Sequence, residues 1–302
     1  MGKFKLFLMK MAVSDILFTL LLEFFYIPNL LFPIPAAEVC GLGKFFGQTG
    51  AKVTHISTVM AGASSLVSVL DCCIFRAFLF FKMEASLESF SGRRGVYYVV
   101  VGLIIETMFI SLVCWVNAMT EVDLVAYMKR HSLKLDGFDF NTPFYGLDTD
   151  RHIVRISAAI VGIWIFGVEF GSILLTFLVR RKINETKSSM SRETLRMQRS
   201  LNRILLAQAV VPGIAVSLPV SVQIIGACLP GDTWIQSIWV MWPSEMIVAS
   251  YPLVNAVSCI LFMKPYRAYC RKLVSKVIPC VQEYAASSVI ASIVNPSSIY
   301  TG

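Results

Sequence analysis

Six long apolar stretches divide this chain, at about residues 6–32, 47–81, 96–118, 153–179, 204–229 and 235–263, and arginine and lysine gather beside them on one side only. If the segment before the first stretch is placed on one face of a membrane and the chain alternates, the even-side segments hold twenty basic residues. They run from Lys3, Lys5 and Lys10 through Arg76 and the cluster 180–203 to Lys276. The odd side keeps five: Lys44, Lys129, Arg130, Lys134 and Arg151. Basic residues favour the cytosolic side of spans, so this asymmetry predicts six crossings with both termini in the cytosol. Each stretch reaches the roughly 20 apolar residues that cross about 30 Å of hydrocarbon. Lipid offers backbone groups no hydrogen-bond partners, so such runs must be helical, being too long for barrel strands.

Composition points the same way. Hydrophobic residues make up 56% of the chain and charged residues 15%, against about 45–50% and about 25% in soluble domains. The net charge of +8 lies at span ends and not along one soluble face, which fits anchoring to the lipid bilayer and not nucleic-acid binding. The basic start resembles a signal peptide, but its apolar run exceeds the 7–15 residues of a signal core. The eight cysteines form no disulfide framework: Cys72, Cys73, Cys114 and Cys259 fall within or at the ends of spans, and Cys270 and Cys280 on the cytosolic side.

The expected organisation is therefore an all-α transmembrane bundle over 1–263, followed by a cytosolic segment over 264–302. In 265–277, Tyr266, Tyr269, Cys270, Leu273 and Val277 share one helical face and Arg267, Arg271, Lys272 and Lys276 the other, the pattern of an interfacial helix. The Ser-rich 285–302 reads as a disordered tail. The one sizeable outer loop, 119–152, is acidic.

Ionisable side chains are expensive in lipid, so each one inside a span points to the bundle interior. By depth, Glu23, Lys52, His55 and Glu245 fall in the outer half, and Asp15 and Asp71 in the inner half with Arg76 just below them. An outer polar set facing the interior suits a small-molecule cavity, making Glu23, His55, Glu245 and Trp242 candidate ligand contacts. A Glu23–Lys52 pair, or interfacial anchoring of Trp234, Trp239 and Trp242, is the plainer alternative. Asp15, Asp71 and Arg76 are candidate switch residues, together with Pro212 and Pro219, which are seven apart and can kink one face of the fifth span. Arg192, Arg196, Arg199 and Arg203 form one basic stripe on a helix entering the cytosol. They suit either anionic lipid or a cytosolic transducer. No His-Glu-x-x-His, Gly-x-Ser-x-Gly or phosphate-loop pattern is present, and the three histidines are far apart. Hence no enzyme chemistry, metal or cofactor is expected.

Several segments resemble the nematode seven-transmembrane chemoreceptors of the Str superfamily, most closely serpentine receptor class h. They are Met1 to Lys5; Ile27 to Pro33; Gly43 to Gly47; Thr120-Glu121-Val122-Asp123; 143–150; 191–208; Val211-Pro212 and Leu218-Pro219; and Lys264-Pro265-Tyr266-Arg267. The resemblance implies a receptor architecture like that of rhodopsin, a small external ligand, a heterotrimeric G protein at the inner face, and a plasma or ciliary membrane of sensory neurons. Two departures stand out. The family's acidic-Asn-Arg motif appears as Asp71-Cys72-Cys73, with Arg76 three residues on. The chain also begins where the family's second helix begins, so six of seven helices are expected. A transporter or channel subunit, and an inactive truncated receptor, are the alternatives to a chemosensory receptor.

Overall fold

The computed structural model describes residues 4–31, 34–81, 83, 93–132, 142–228, 238–262 and 264–277. It places a helix in each of the six apolar stretches. These are α1 (Phe4–Leu20), α2 (Gly47–Phe80), α3 (Arg93–Asn117), α5 (His152–Glu185), α6 (Arg192–Pro212) continued by α7 (Leu218–Cys228), and α8 (Ile238–Phe262). The short α4 (Glu121–Arg130) lies in the outer loop, and α9 (Lys264–Val277) follows α8. Among the described residues, four helical stretches are long and apolar enough to cross a membrane: Leu42–Phe80, Val100–Asn117, His152–Glu185 and Arg192–Gly226. The chain divides into two compact units, Met1–Asn255 and Ala256–Gly302. In the second, α9 exposes Tyr269, Leu273, Arg271 and Lys272. Trp234, the acidic positions Asp136 and Asp139, and the expected tail 285–302 lie outside the described residues.

Helix α2 is the spine of the first unit. Its buried positions are mostly small, including Gly50, Ala51, Thr54, Thr58, Ala61, Ala63, Ser65, Ser68, Cys72 and Cys73. Small side chains let neighbouring backbones come close, which drives helix association where lipid removes the hydrophobic incentive. Phe18, Leu22 and Tyr26 of the first stretch pack there with Ala61, Ala215 and Tyr251. Large apolar residues point outward instead on α3 and α5, as Met108, Leu112, Ile163 and Phe170 do. That is the arrangement of a helix facing lipid tails.

Two local features depart from straight spans. The first stretch was expected to be helical to about residue 32, but it widens into a π turn over Leu21–Tyr26 and stops. Ile27 then takes a positive φ of 41° and the chain enters strand β1 (Pro28–Leu30). Proline disfavours the helical conformation for the residue before it, and the helix stops at Ile27, directly before Pro28. In the fifth stretch a second π turn, Gly213–Ser217, lies between Pro212 and Pro219. Each proline removes a helical N–H donor, and the widened turn absorbs the misfit. At Gly213 the Glu169 carboxylate comes close, and a Cβ there would lie 2.6 Å from its Oε1, so a larger residue would move that side chain.

The outer loop is more ordered than an acidic connection implies. Strands β1, β2 (Ala36–Val39) and β3 (Phe144–Gly146) form an antiparallel sheet in the order β1-β2-β3, with Asn29 opposite Glu38 and Ala37 opposite Tyr145. A small core of Leu31, Ile34, Ala36, Met119, Leu124, Tyr127 and Phe144 lies beneath it. Helix α4 begins with a capping box in which Asp123 N donates to Thr120 Oγ1 (3.2 Å) and Thr120 N donates to Asp123 Oδ2 (3.0 Å). These Thr120 bonds, with Arg151 2.6 Å away, hold the Asp123 carboxyl below the usual carboxylate range. Arg130 fastens the other end of α4 to Asp148 (2.8 Å) and Asp150 (3.2 Å).

Candidate ligand site

Below the sheet, the π turn at Tyr26 and the outer third of α2 bring aromatic and polar groups together. His55 Nδ1 and the Tyr26 hydroxyl share a hydrogen bond of 2.8 Å. The His55 ring also stacks on Tyr145, with centroids 3.6 Å apart and planes 14° from parallel. Tyr145 comes from β3 and donates its hydroxyl to the Cys114 carbonyl (3.0 Å). Across the space, Gln223 Nε2 of α7 donates to Glu245 Oε1 of α8 (2.8 Å). Tyr127 and Thr149 close the outer side, their hydroxyls 3.3 Å apart, and burial pushes the Tyr127 hydroxyl's pKa up so that it stays neutral.

Two cavities meet at these residues. The outer one, about 210 Å³, is lined by Tyr26, His55, Tyr127, Tyr145, Gln223, Met241 and Glu245 with the β1–β2 connection. The deeper one, about 630 Å³, shares Tyr26, Leu30, His55, Gln223 and Glu245 with it and runs inward along α2. On the α2 wall it reaches from His55 to Asp71, sixteen residues, or about 24 Å at 1.5 Å per residue. Its middle is apolar, lined by Phe18, Leu66, Phe109, Trp164 and Val220, among others. The volume falls within the roughly 300–1,000 Å³ typical of small-molecule sites.

The candidate residues separate clearly. His55 and Glu245 line both cavities. Glu23 is exposed on the π turn and lines neither. Trp242 is 49% exposed and turned away from both. Lys52 does not pair with Glu23; its ammonium stands 5.8 Å from the centre of the Trp115 ring. The further wall residues Tyr26, Tyr127, Tyr145, Gln223 and Met241 carry no charge at neutral pH, so no charge within a span marks them in the sequence. Tyr145 does lie in the 143–150 segment that carries the family resemblance.

The switch candidates form two polar clusters lower in the bundle. Asp15 accepts hydrogen bonds from Ser65 Oγ, from the Tyr251 hydroxyl (3.3 Å) and from Asn255 Nδ2 (2.6 Å). Three helices, α1, α2 and α8, are thereby tied at one carboxylate. Lys10 and Asp71 pair at 2.8 Å at the inner end of the long cavity. Arg76 is only 3% exposed and crosses to α6, donating to Gln198 Oε1 at 2.9 Å. Pro212 and Pro219 are buried on either side of the α6–α7 π turn. Arg192, Arg196, Arg199 and Arg203 are all exposed.

The helical bundle thus holds a cavity beneath an ordered sheet, with an exposed basic helix at its other end. Comparison with known families agrees: the profile of the serpentine-type seven-transmembrane G-protein-coupled chemoreceptors, Srh, matches residues 1–276. The chain belongs to the class h serpentine chemoreceptors. It is thus a multi-pass membrane protein of G-protein-coupled-receptor type with a chemosensory role. No curated protein and no solved structure gives a significant match.

Proposed function

We propose that this Srh receptor binds a small external molecule in the cavity beneath its outer sheet and signals to a heterotrimeric G protein at its cytosolic face. The observation that carries this is Glu245. Its Oε1 is held by Gln223, no described cation pairs with it, and the surrounding walls are the rings of Tyr26, His55 and Tyr145. An acidic acceptor within aromatic walls selects a ligand that brings an N–H donor, an amine above all, because the rings add cation–π attraction to the charge-assisted hydrogen bond. The apolar remainder of the cavity would take that ligand's hydrocarbon portion.

The polar ties below supply the route inward. Asp15 joins α1, α2 and α8, and Arg76 joins α2 to Gln198 on α6. A ligand that shifts α8 or α7 at Glu245 and Gln223 acts on the same helices that carry these ties. The basic end of α6 then faces the transducer. Both termini are cytosolic, from the twenty-to-five charge asymmetry, in a plasma or ciliary membrane of sensory neurons. A panel of external amines and their uncharged isosteres, applied to cells with a G-protein reporter, tests the site. An amine agonist should lose about tenfold or more in potency on Glu245→Leu, the loss of one charge-assisted hydrogen bond. Unchanged potency at equal surface expression would remove Glu245 from the site.

A further inference from the structure

The cytosolic ends of α5 and α6 enclose a groove of about 520 Å³ lined by Arg180, Ile183, Asn184, Arg199, Asn202, Arg203 and Leu206. Three of these are arginines, all exposed, and among the described residues none is ion-paired. Their neighbours behave otherwise: Arg181 and Lys182 share Glu185 at 3.2 and 3.3 Å. Among the described residues, the only side-chain hydrogen bond made by the three is neutral, Arg199 Nη2 donating to Asn184 Oδ1 at 3.3 Å. Three guanidinium groups around one hollow repel each other, and an anion in the groove relieves that repulsion.

The groove's placement identifies the anion's source. Leu206 lies three residues, about 4.5 Å, toward the bilayer from Arg203. Arg199 lies a turn farther into the cytosol. On its α6 wall the groove thus runs from apolar Leu206 at the membrane end to Arg203 and Arg199 below, the order of a phospholipid's own chains and headgroup, while on the α5 wall Arg180 is the lining residue nearest the bilayer. It is also on a flank. Gln198 and Leu205 face α2, bonding Arg76 and packing on Phe75, whereas Arg199 and Leu206 each follow one of these by a single residue, about 100° round the helix, and Asn202 between them donates to the Thr176 carbonyl of α5 (3.3 Å). Basic pockets between helices on the cytosolic side are suited to anionic headgroups.

We infer that this groove binds the headgroup of a polyphosphorylated inner-leaflet lipid. A single phosphodiester would bring one negative charge to three cations. An added phosphomonoester brings about −1.5 to −2 more, close to balance, and the forked guanidinium donors match phosphate oxygens. Arg199 and Arg203 thereby have a second partner besides the transducer, while Arg192 and Arg196 stand clear of the groove.

The full chain, reconstituted in phosphatidylcholine nanodiscs doped with phosphatidylinositol monophosphate, gives the test by native mass spectrometry of retained lipid. The Arg180→Gln/Arg199→Gln/Arg203→Gln variant should retain the lipid about tenfold less than wild type, the loss of at least one charge-assisted hydrogen bond. Arg181→Gln/Arg192→Gln/Arg196→Gln, which removes the same charge outside the groove, should retain it. Leu206→Trp fills the groove with every charge in place, so it should also lose the lipid even if the triple variant fails to insert. Phosphatidylserine at equal charge should not substitute. Equal loss in both triple variants would make the attraction diffuse and overturn the site. Soluble inositol bisphosphate binding as tightly as the lipid would make it a free-phosphate site. Loss of G-protein binding in Leu206→Trp with lipid retention intact would assign the groove to the transducer.

Discussion

Replacing Asp15 by Ala and by Asn should give very different results, and the hydrogen bonds show why. Asp15 accepts from Ser65, Tyr251 and Asn255, whose side chains are almost fully buried. Asp15→Ala removes all three bonds, and at an average of about 0.6 kcal/mol for hydrogen bonds between membrane helices this costs about 2 kcal/mol. Ser65 and Tyr251 stay 3.0 Å apart and can still bond each other, which keeps the cost near that average. Asp15→Asn leaves one oxygen to accept from Ser65 and Tyr251, and sets its amide against Asn255. Asn255 has a buried Oδ1 with no partner, so turning its amide over gives that oxygen a donor and restores the third bond. The expected cost is under about 0.6 kcal/mol, one average bond. At about 2–4 °C per kcal/mol, Asp15→Ala should lower the melting temperature by about 4–8 °C and Asp15→Asn by no more than about 2 °C. Thermal unfolding of the purified receptor followed by fluorescence-detected size exclusion measures both. If Asp15→Asn is as destabilising as Asp15→Ala, the carboxylate's charge holds the three helices together, not its hydrogen bonds.

Two further outcomes concern the outer loop and the topology. Thr120→Ala removes the α4 cap and should cost about 1 kcal/mol, read as faster hydrogen exchange of the α4 amides. The depressed Asp123 carboxyl means the cap's contribution is complete above the unfolded value of about 3.9 and fades as pH falls through the lower folded value. The exchange difference between wild type and Asp123→Asn should therefore be constant from pH 7 to about 5 and vanish in stronger acid; a difference that persists there would take Asp123 out of the cap. Glycosylation acceptor tags fused to either terminus should stay unmodified, and a glycan on either one would reverse the assigned orientation.

Much of the bundle was legible from hydropathy, because a span in lipid must be a helix and leaves a long uniform signal. The ends of spans were less so. Pro28 at the end of the first stretch marks a helix stop by its own chemistry, yet its position inside an apolar run hid it. The outer sheet left almost no trace, since β1, β2 and β3 have three, four and three residues and β3 joins β2 across more than a hundred positions of chain. The site was half visible. Depth and charge pointed to His55 and Glu245, which line the cavity, but depth cannot tell which way a side chain faces, and Glu23 at a similar level is exposed. Neutral wall residues carry no such signal: Gln223 matters only because α7 sets it 2.8 Å from Glu245. Arg76 shows the converse. Displaced three positions from the family's arginine, it still reaches α6 through Gln198, a partner fixed by packing and absent from any local motif.

The external-ligand cavity is tested most directly by filling it. Met241 lines only the outer chamber, at the mouth beside Glu245, so Met241→Trp should occupy that space while leaving every polar tie in place. Ligand-evoked G-protein activation should be lost, with surface expression at the wild-type level. A full response from Met241→Trp, at unchanged ligand potency, would place the ligand elsewhere.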